Sequence, residues 1–202
     1  TGKKTIVPRA TRAKLSEDGS KVVAVIKPLF EQTRQAKIKK AKKEDMPKDT
    51  LALIDVKSGK VEKYANYKSH ATADKWSNYL AFELTPAKEK ADKKAKKEEG
   101  KDDKKKPAPK KEVNKLLVMN LLTNKVDTIK NVTSYKFNED GSWLAYVVEP
   151  EKKDSLGKAG LFLYNPANGE SKAVLEGTKG SKFKTPTFSE VGTMAFYANT
   201  DT

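Results

Sequence analysis

The chain has 202 residues, a formal net charge of +15, and nearly as many charged residues (34%) as hydrophobic ones (36%). Segments of it must therefore lie outside any core. It contains no cysteine, which excludes disulfides, thiolate metal sites and a cysteine nucleophile. No run approaches the roughly 20 apolar residues of a membrane-spanning helix. The chain opens Thr1-Gly2-Lys3-Lys4 without a methionine, so the lack of a visible signal peptide says nothing about the parent protein. The excess charge is localised. Residues 31–49 hold Arg34 and six lysines against four acids, and residues 87–112 hold twelve lysines against seven acids, which together account for about half the excess.

In chain order, the first unit opens with Ala13-Lys14-Leu15-Ser16-Glu17-Asp18-Gly19-Ser20-Lys21-Val22-Val23-Ala24-Val25-Ile26. This reads as a strand, a polar turn carrying Asp-Gly, and a second strand apolar on both faces, hence a β-hairpin inside a layered structure. Pro28 ends the pairing. The basic stretch around Gln35-Ala36-Lys37-Ile38-Lys39-Lys40-Ala41-Lys42-Lys43 predicts a short helix with too few apolar positions to anchor it firmly. A third strand follows over 50–56, a turn at Lys57-Ser58-Gly59-Lys60, and a more polar outer strand over 61–64.

The second unit repeats the order, with a weak first strand over 69–73, a turn at Asp74-Lys75, and a buried strand over 76–84 before Pro86. The insertion 87–112 comes next, then a third strand over 115–121 and an outer strand over 126–129. The third unit carries the best-formed hairpin, Tyr135-Lys136-Phe137-Asn138-Glu139-Asp140-Gly141-Ser142-Trp143-Leu144-Ala145-Tyr146-Val147-Val148, and again reaches a proline, Pro150. After a short insertion, 151–158, strands are predicted over 160–165 and 170–175. A fourth unit begins at 185–192 and 193–198.

Four strands per unit in tandem predict an all-β fold, a partial β-propeller of about three and a half four-stranded antiparallel blades with Lys-rich insertions. The blades span approximately 10–64, 65–129, 130–176 and an incomplete 177–202, so residues 1–202 read as one propeller fragment. A two-sheet β-sandwich is the alternative. The return of the same turn, proline and closing hairpin favours the propeller.

The stretch Leu15-Ser16-Glu17-Asp18-Gly19-Ser20-Lys21-Val22-Val23-Ala24 and its copy Phe137-Asn138-Glu139-Asp140-Gly141-Ser142-Trp143-Leu144-Ala145-Tyr146 resemble the blade motif of propellers in prolyl oligopeptidase-family serine peptidases and in related periplasmic propellers. Lys40-Ala41-Lys42-Lys43-Glu44-Asp45-Met46-Pro47-Lys48-Asp49-Thr50-Leu51 is similar to an insertion in a bacterial branch of that family, the dipeptidyl aminopeptidase and acylaminoacyl peptidase type. The resemblance implies the non-catalytic propeller portion of a periplasmic or secreted serine peptidase, gating peptide access to an α/β-hydrolase domain with a Ser-His-Asp triad. Its implied partners are that hydrolase domain, carried by the same parent chain, and a peptide substrate.

No Gly-x-Ser-x-Gly nucleophile elbow occurs in the chain. The single histidine, His70, falls in a predicted strand and reads as structural. No catalytic, cofactor-binding or metal residue is assigned, and no cofactor is expected. Glu98-Glu99 is the only adjacent glutamate pair, but its Lys-rich surroundings do not match the amino-terminus clamp of some dipeptidyl-peptidase relatives. The Asp18-Gly19 and Asp140-Gly141 pairs lack the ligand series of a calcium loop and read as turns. Trp76, Tyr79, Phe82, Trp143, Tyr146, Phe162 and Phe196 read as inter-blade packing. The Lys-rich insertions mix signs and the second lacks aromatics, so they read as solvated, with neither nucleic acid nor membrane expected as a partner. Two other functions compete: a stand-alone propeller that binds a protein, and more remotely a basic nucleic-acid-binding protein. Exposed end blades predict self-association of the fragment.

Overall fold

The computed structural model describes residues 4–76, 78–85, 115–150, 158–178, 180–184 and 186–200. The first blade consists of β1 (Ala10–Leu15), β2 (Lys21–Ile26), β3 (Asp49–Asp55) and the first half of β4 (Val61–Ala71), with α1 (Phe30–Ile38) and a 3-10 turn (Lys43–Asp45) between β2 and β3. The second uses the rest of β4, then β5 (Tyr79–Leu84), β6 (Lys115–Asn120) and β7 (Val126–Lys130). The third is β8 (Val132–Phe137), β9 (Leu144–Val148), β10 (Ala159–Asn165) and β11 (Glu170–Gly177). In the fourth, two short hairpin pairs appear: β12 (Lys182–Phe183) with β15 (Ala198–Asn199), and β13 (Thr187–Phe188) with β14 (Met194–Ala195).

Every neighbouring strand pair is antiparallel. The fold is an incomplete β-propeller of four-stranded antiparallel blades. The sheet of seven strands, β1 to β7, is two blades joined through β4. Residues up to Tyr67 in β4 pair with β3, and those from Tyr67 onward pair with β5. The sequence predicts two strands here, 61–64 and 69–73, and the structure makes one.

The propeller character is clearest in where the core lies. The middle strands of each blade are covered on both faces, with Val23, Ala24, Val25 and Ile26 all buried in β2 and Leu80, Ala81, Phe82 and Glu83 in β5. Three apolar clusters fill the gaps between consecutive blades. Val23, Leu51 and Leu53 of the first meet Trp76, Leu80, Phe82 and Met119 of the second. Ala81, Leu116 and Val118 meet Val132, Phe137, Leu144 and Tyr164 of the third. Val147, Ala159 and Leu161 meet Phe183 of the fourth.

Antiparallel order places the turn between strands one and two and the turn between strands three and four at the same end of each blade. Backbone hydrogen bonds join these turns, from Val56 N–H to Ser20 and from Leu121 N–H to Asn78. The connections between strands two and three, which carry the insertions, leave from the opposite end. At that end the chain passes between blades through Asn66 (φ 60°) and Asn131 (φ 61°), and Arg9 (φ 61°) holds the same place before β1. Asparagine tolerates this left-handed region better than most residues. The carbonyls of Arg9, Asn66 and Asn131 accept hydrogen bonds from Lys27, Thr85 and Glu149, the residues that precede Pro28, Pro86 and Pro150 in the sequence. The recurring proline thus marks where a blade closes onto its entry point.

Candidate functional site

The turns between the first two strands are built alike in the first and third blades. Ser16 and Asn138 cap them, the backbone N–H of Lys21 donating to Ser16 Oγ (2.9 Å) and that of Trp143 to Asn138 Oδ1 (2.9 Å). The carboxylates of Asp18 and Asp140 accept the N–H of Ser20 (3.1 Å) and Ser142 (2.9 Å). Hydrogen bonds from Ser16 and Ser20 hold the pKa of the Asp18 carboxyl below its ordinary value, and those from Ser142 do the same for Asp140. Both aspartates are therefore engaged in their own turns, and Gly19 (φ 68°) and Gly141 (φ 79°) supply the left-handed residue each turn needs. Among the described residues no three His, Asp or Glu side chains come together as metal ligands.

Consecutive turns touch. Lys75 N–H donates to Glu139 O (2.9 Å), and its ammonium pairs with the Glu139 carboxylate (2.8 Å). Beside this contact lies a cleft of about 510 Å³, lined by Glu139, Asp140, Trp143, Ser189, Glu190 and Val191 among others. A smaller hollow of about 160 Å³ shares Glu139, Ser189 and Glu190 and adds Asp74, Lys136 and Phe188. A third, of about 300 Å³, lies against Asn78, Tyr79, Asn165 and Ala167 and again reaches Asp140 and Trp143. Hollows therefore flank the third blade's turn. Their carboxylates outnumber their lysines and Trp143 forms a wall, which suits an extended ligand carrying amide donors or positive charge.

The inner strands carry a second polar group of residues, spanning two blades. Tyr135 in β8 and Ser69 in β4 share a 2.7 Å hydrogen bond. Ser69 donates to Glu83 Oε2 (2.9 Å), so the Tyr135 hydroxyl supplies the proton of the bond to Ser69. Lys68 pairs with the same carboxylate oxygen at 3.1 Å. Burial pushes the Tyr135 hydroxyl well above its ordinary value. The Glu83 side chain is only 5% exposed, and its Oε1 has no hydrogen-bond partner among the described residues. Counting back from the closing proline, Glu83 stands where the other blades have Val25 and Val147, both 0% exposed. A comparison of the repeats at that position is the sequence signal that singles it out.

His70 lies in β4, its Nδ1 sharing a 2.8 Å hydrogen bond with the Tyr67 hydroxyl. Burial, with Arg12 and Lys14 nearby, pushes the imidazole below 6.5. In the unfolded chain the ring protonates near ~6.5. As the pH falls, the unfolded state takes up the proton first. The stability contributed by the neutral ring is therefore present above about 6.5 and lost as the pH drops toward the folded value. His70 is the only histidine, so an NMR titration reads it without ambiguity. A midpoint below 6.5 is expected, and one at or above 6.5 contradicts this placement.

Of the aromatics read as inter-blade packing, Trp76, Phe82 and Tyr146 are buried, whereas Trp143 is 37% and Phe196 42% exposed. Trp143 falls before β9 begins and faces the cleft, because the turn, whose N–H groups bond to Asp140 and Asn138, ends at it. Glu98-Glu99 lies outside the described residues. No Ser–His contact forms among the described residues, since Ser69 serves Glu83 and His70 serves Tyr67.

No family model and no curated protein matches this chain. Among solved structures, it is similar to the β-propeller domain of the Trilobed protease from Pyrococcus furiosus, at 13% identity and a TM-score of 0.48, covering 95% of this chain and 54% of that one. It is also similar to the Pyrococcus horikoshii acylaminoacyl peptidase (11% identity, TM-score 0.46, 96% and 31% covered). A third similar structure is a putative TolB from Agrobacterium tumefaciens (10% identity, TM-score 0.39, 97% and 59% covered). The chain thus spans between a third and three fifths of the length of these structures.

Proposed function

We propose that the chain is the non-catalytic propeller portion of a prolyl oligopeptidase-family serine peptidase of the periplasm or cell exterior, where it gates peptide access to a hydrolase domain of the same parent protein. The observation that carries this reading is the repeated blade turn. The Ser16 and Asn138 turns are built alike down to their hydrogen bonds, and they are the motif on which the family resemblance rests. The catalytic groups belong to the hydrolase domain in this reading, and the propeller supplies a rigid collar that admits short peptides and turns away folded proteins.

The test is the parent protein. Reading on past Thr202 is expected to reveal further blades and then a Gly-x-Ser-x-Gly elbow with its Asp and His. A reading frame that ends without one contradicts the proposal. The parent enzyme should cleave short peptides and spare folded proteins, and deletion of residues 1–202 should abolish that discrimination.

The cleft walled by Trp143 and the carboxylates of Glu139 and Glu190 favours a second reading, in which the propeller binds a peptide or protein on its own account. Either way, the isolated 202-residue chain exposes Leu15 in its first blade and Phe196 and Tyr197 in its fourth. We propose that it self-associates through these blade faces. Light scattering is expected to give a mass above 22.4 kDa that rises with concentration, and a monomer at all concentrations contradicts it.

A further inference from the structure

The helix between the second and third strands of the first blade adds nothing to a core. No residue of α1 is buried. Phe30 is 81% and Ile38 61% exposed, and Leu29, which precedes the helix, is 46% exposed. Thr33 and Ala36, three residues apart, are the helix's only partly covered positions. Arg34 and Ile38 stand at four-residue spacing away from them, and Phe30 lies at the edge between the two sides. Residues 32–43 contain Arg34, Lys37, Lys39, Lys40, Lys42 and Lys43 and no acidic residue.

The roots of this connection are tied down. Arg9 Nε donates to Lys27 O (2.9 Å), and Lys27 pairs with Asp49 (2.6 Å). The helix is therefore presented from a fixed base at the insertion end of the propeller. The second Lys-rich connection leaves and returns at that same end, at Thr85 and Lys115. The turns of the opposite end are mixed in sign, Glu17, Asp18, Asp74, Glu139, Asp140 and Glu190 standing with Lys57, Lys60, Lys75 and Lys125. Within the first connection, the uninterrupted basic run of residues 32–43 lies beside the apolar side chains that project.

We propose that this end docks on an anionic lipid surface, with Leu29, Phe30 and Ile38 entering the interface and the lysines of residues 37–43 meeting the lipid headgroups. A run of flexible ammonium groups with no acid among them complements a diffuse sheet of negative charge. The exposed Leu29, Phe30 and Ile38 beside such a run add a shallow apolar contact with the headgroup layer. A nucleic acid would draw on the lysines but leaves Leu29 and Ile38 without a role. The sequence predicts no membrane partner because it shows the mixed charge of the insertion and not the exposure of Phe30 and Ile38. The clefts beside Trp143 lie at the opposite end and therefore face away from the lipid.

The test is co-sedimentation of the 202-residue chain with vesicles of phosphatidylcholine alone and of phosphatidylcholine with phosphatidylserine, at low and high salt. Binding is expected only with phosphatidylserine and only at low salt. Two variants separate the two contributions. The double variant Phe30→Ser/Ile38→Ser alters exposed side chains only, so it should keep the wild-type melting temperature while losing about tenfold or more in vesicle binding. The variant Lys39→Glu/Lys40→Glu/Lys42→Glu/Lys43→Glu should lose at least about a hundredfold, at roughly fivefold per basic residue. The proposal is overturned by no sedimentation, by equal binding to neutral vesicles, or by binding that Phe30→Ser/Ile38→Ser leaves unchanged. Duplex DNA binding tighter than vesicle binding at the same salt overturns it too and supports a nucleic-acid partner.

Discussion

Replacing Trp76 with alanine is expected to destabilise the protein by about 3–5 kcal/mol, the range for emptying a large buried aromatic site. Trp76 is 1% exposed and fills the space between the first two blades. Its indole N–H donates to Tyr79 O (2.8 Å), and its own carbonyl accepts the N–H of Glu17 in the preceding blade (2.7 Å). Alanine leaves a cavity that neighbours on two separate blades cannot close. Trp76→Phe keeps most of the apolar volume and loses the indole hydrogen bond, so about 1–2 kcal/mol is expected. Urea denaturation of both variants checks the series, and a loss under about 1 kcal/mol for the alanine variant contradicts the packing described.

The second large effect has the opposite sign. Glu83→Val is expected to leave stability unchanged or raise it by about 1–3 kcal/mol, since replacing a buried charge with a well-packed apolar side chain is commonly neutral or stabilising. The Glu83 site already has the shape for valine, as Val25 and Val147 show. Its partners survive the change. Ser69 keeps Tyr135 at 2.7 Å, and Lys68, 44% exposed, turns to water. The removed carboxylate oxygen Oε1 has no hydrogen bond to lose among the described residues. A loss above 1 kcal/mol on denaturation would mean that Oε1 has a partner in solution, and would mark Glu83 as an occupied polar site.

The blade order was legible because strand alternation, the Asp-Gly turns and the closing prolines recur together. The prolines carried more than strand-breaking. They mark residues whose N–H closes on Arg9, Asn66 and Asn131, a partner that no local pattern reveals. The split of β4 into two strands was misplaced because a left-handed Asn66 bends the chain without ending its pairing. The helix over Phe30–Ile38 begins five residues before the stretch whose composition suggested one, and with no residue buried it leaves no apolar periodicity to mark its start. The cleft beside Trp143 and the chain from Tyr135 through Ser69 to Glu83 each combine residues from different blades. Such groupings depend on how blades stack, and only a repeat-against-repeat comparison hints at them, at the single position where glutamate replaces valine.

A pair of engineered cysteines tests the stacking of consecutive blades most directly. The chain has no cysteine of its own, so any disulfide in Lys75→Cys/Glu139→Cys comes from the new pair. The backbone N–H of residue 75 lies 2.9 Å from the carbonyl of residue 139, which brings the two Cα atoms within disulfide range. Mild oxidation is expected to close an intramolecular bond in the native protein, with the thiols lost and the melting temperature kept or raised. Thiols that stay free in the folded protein, or that link only between molecules, would contradict a propeller in which the inner turns of successive blades meet at one end.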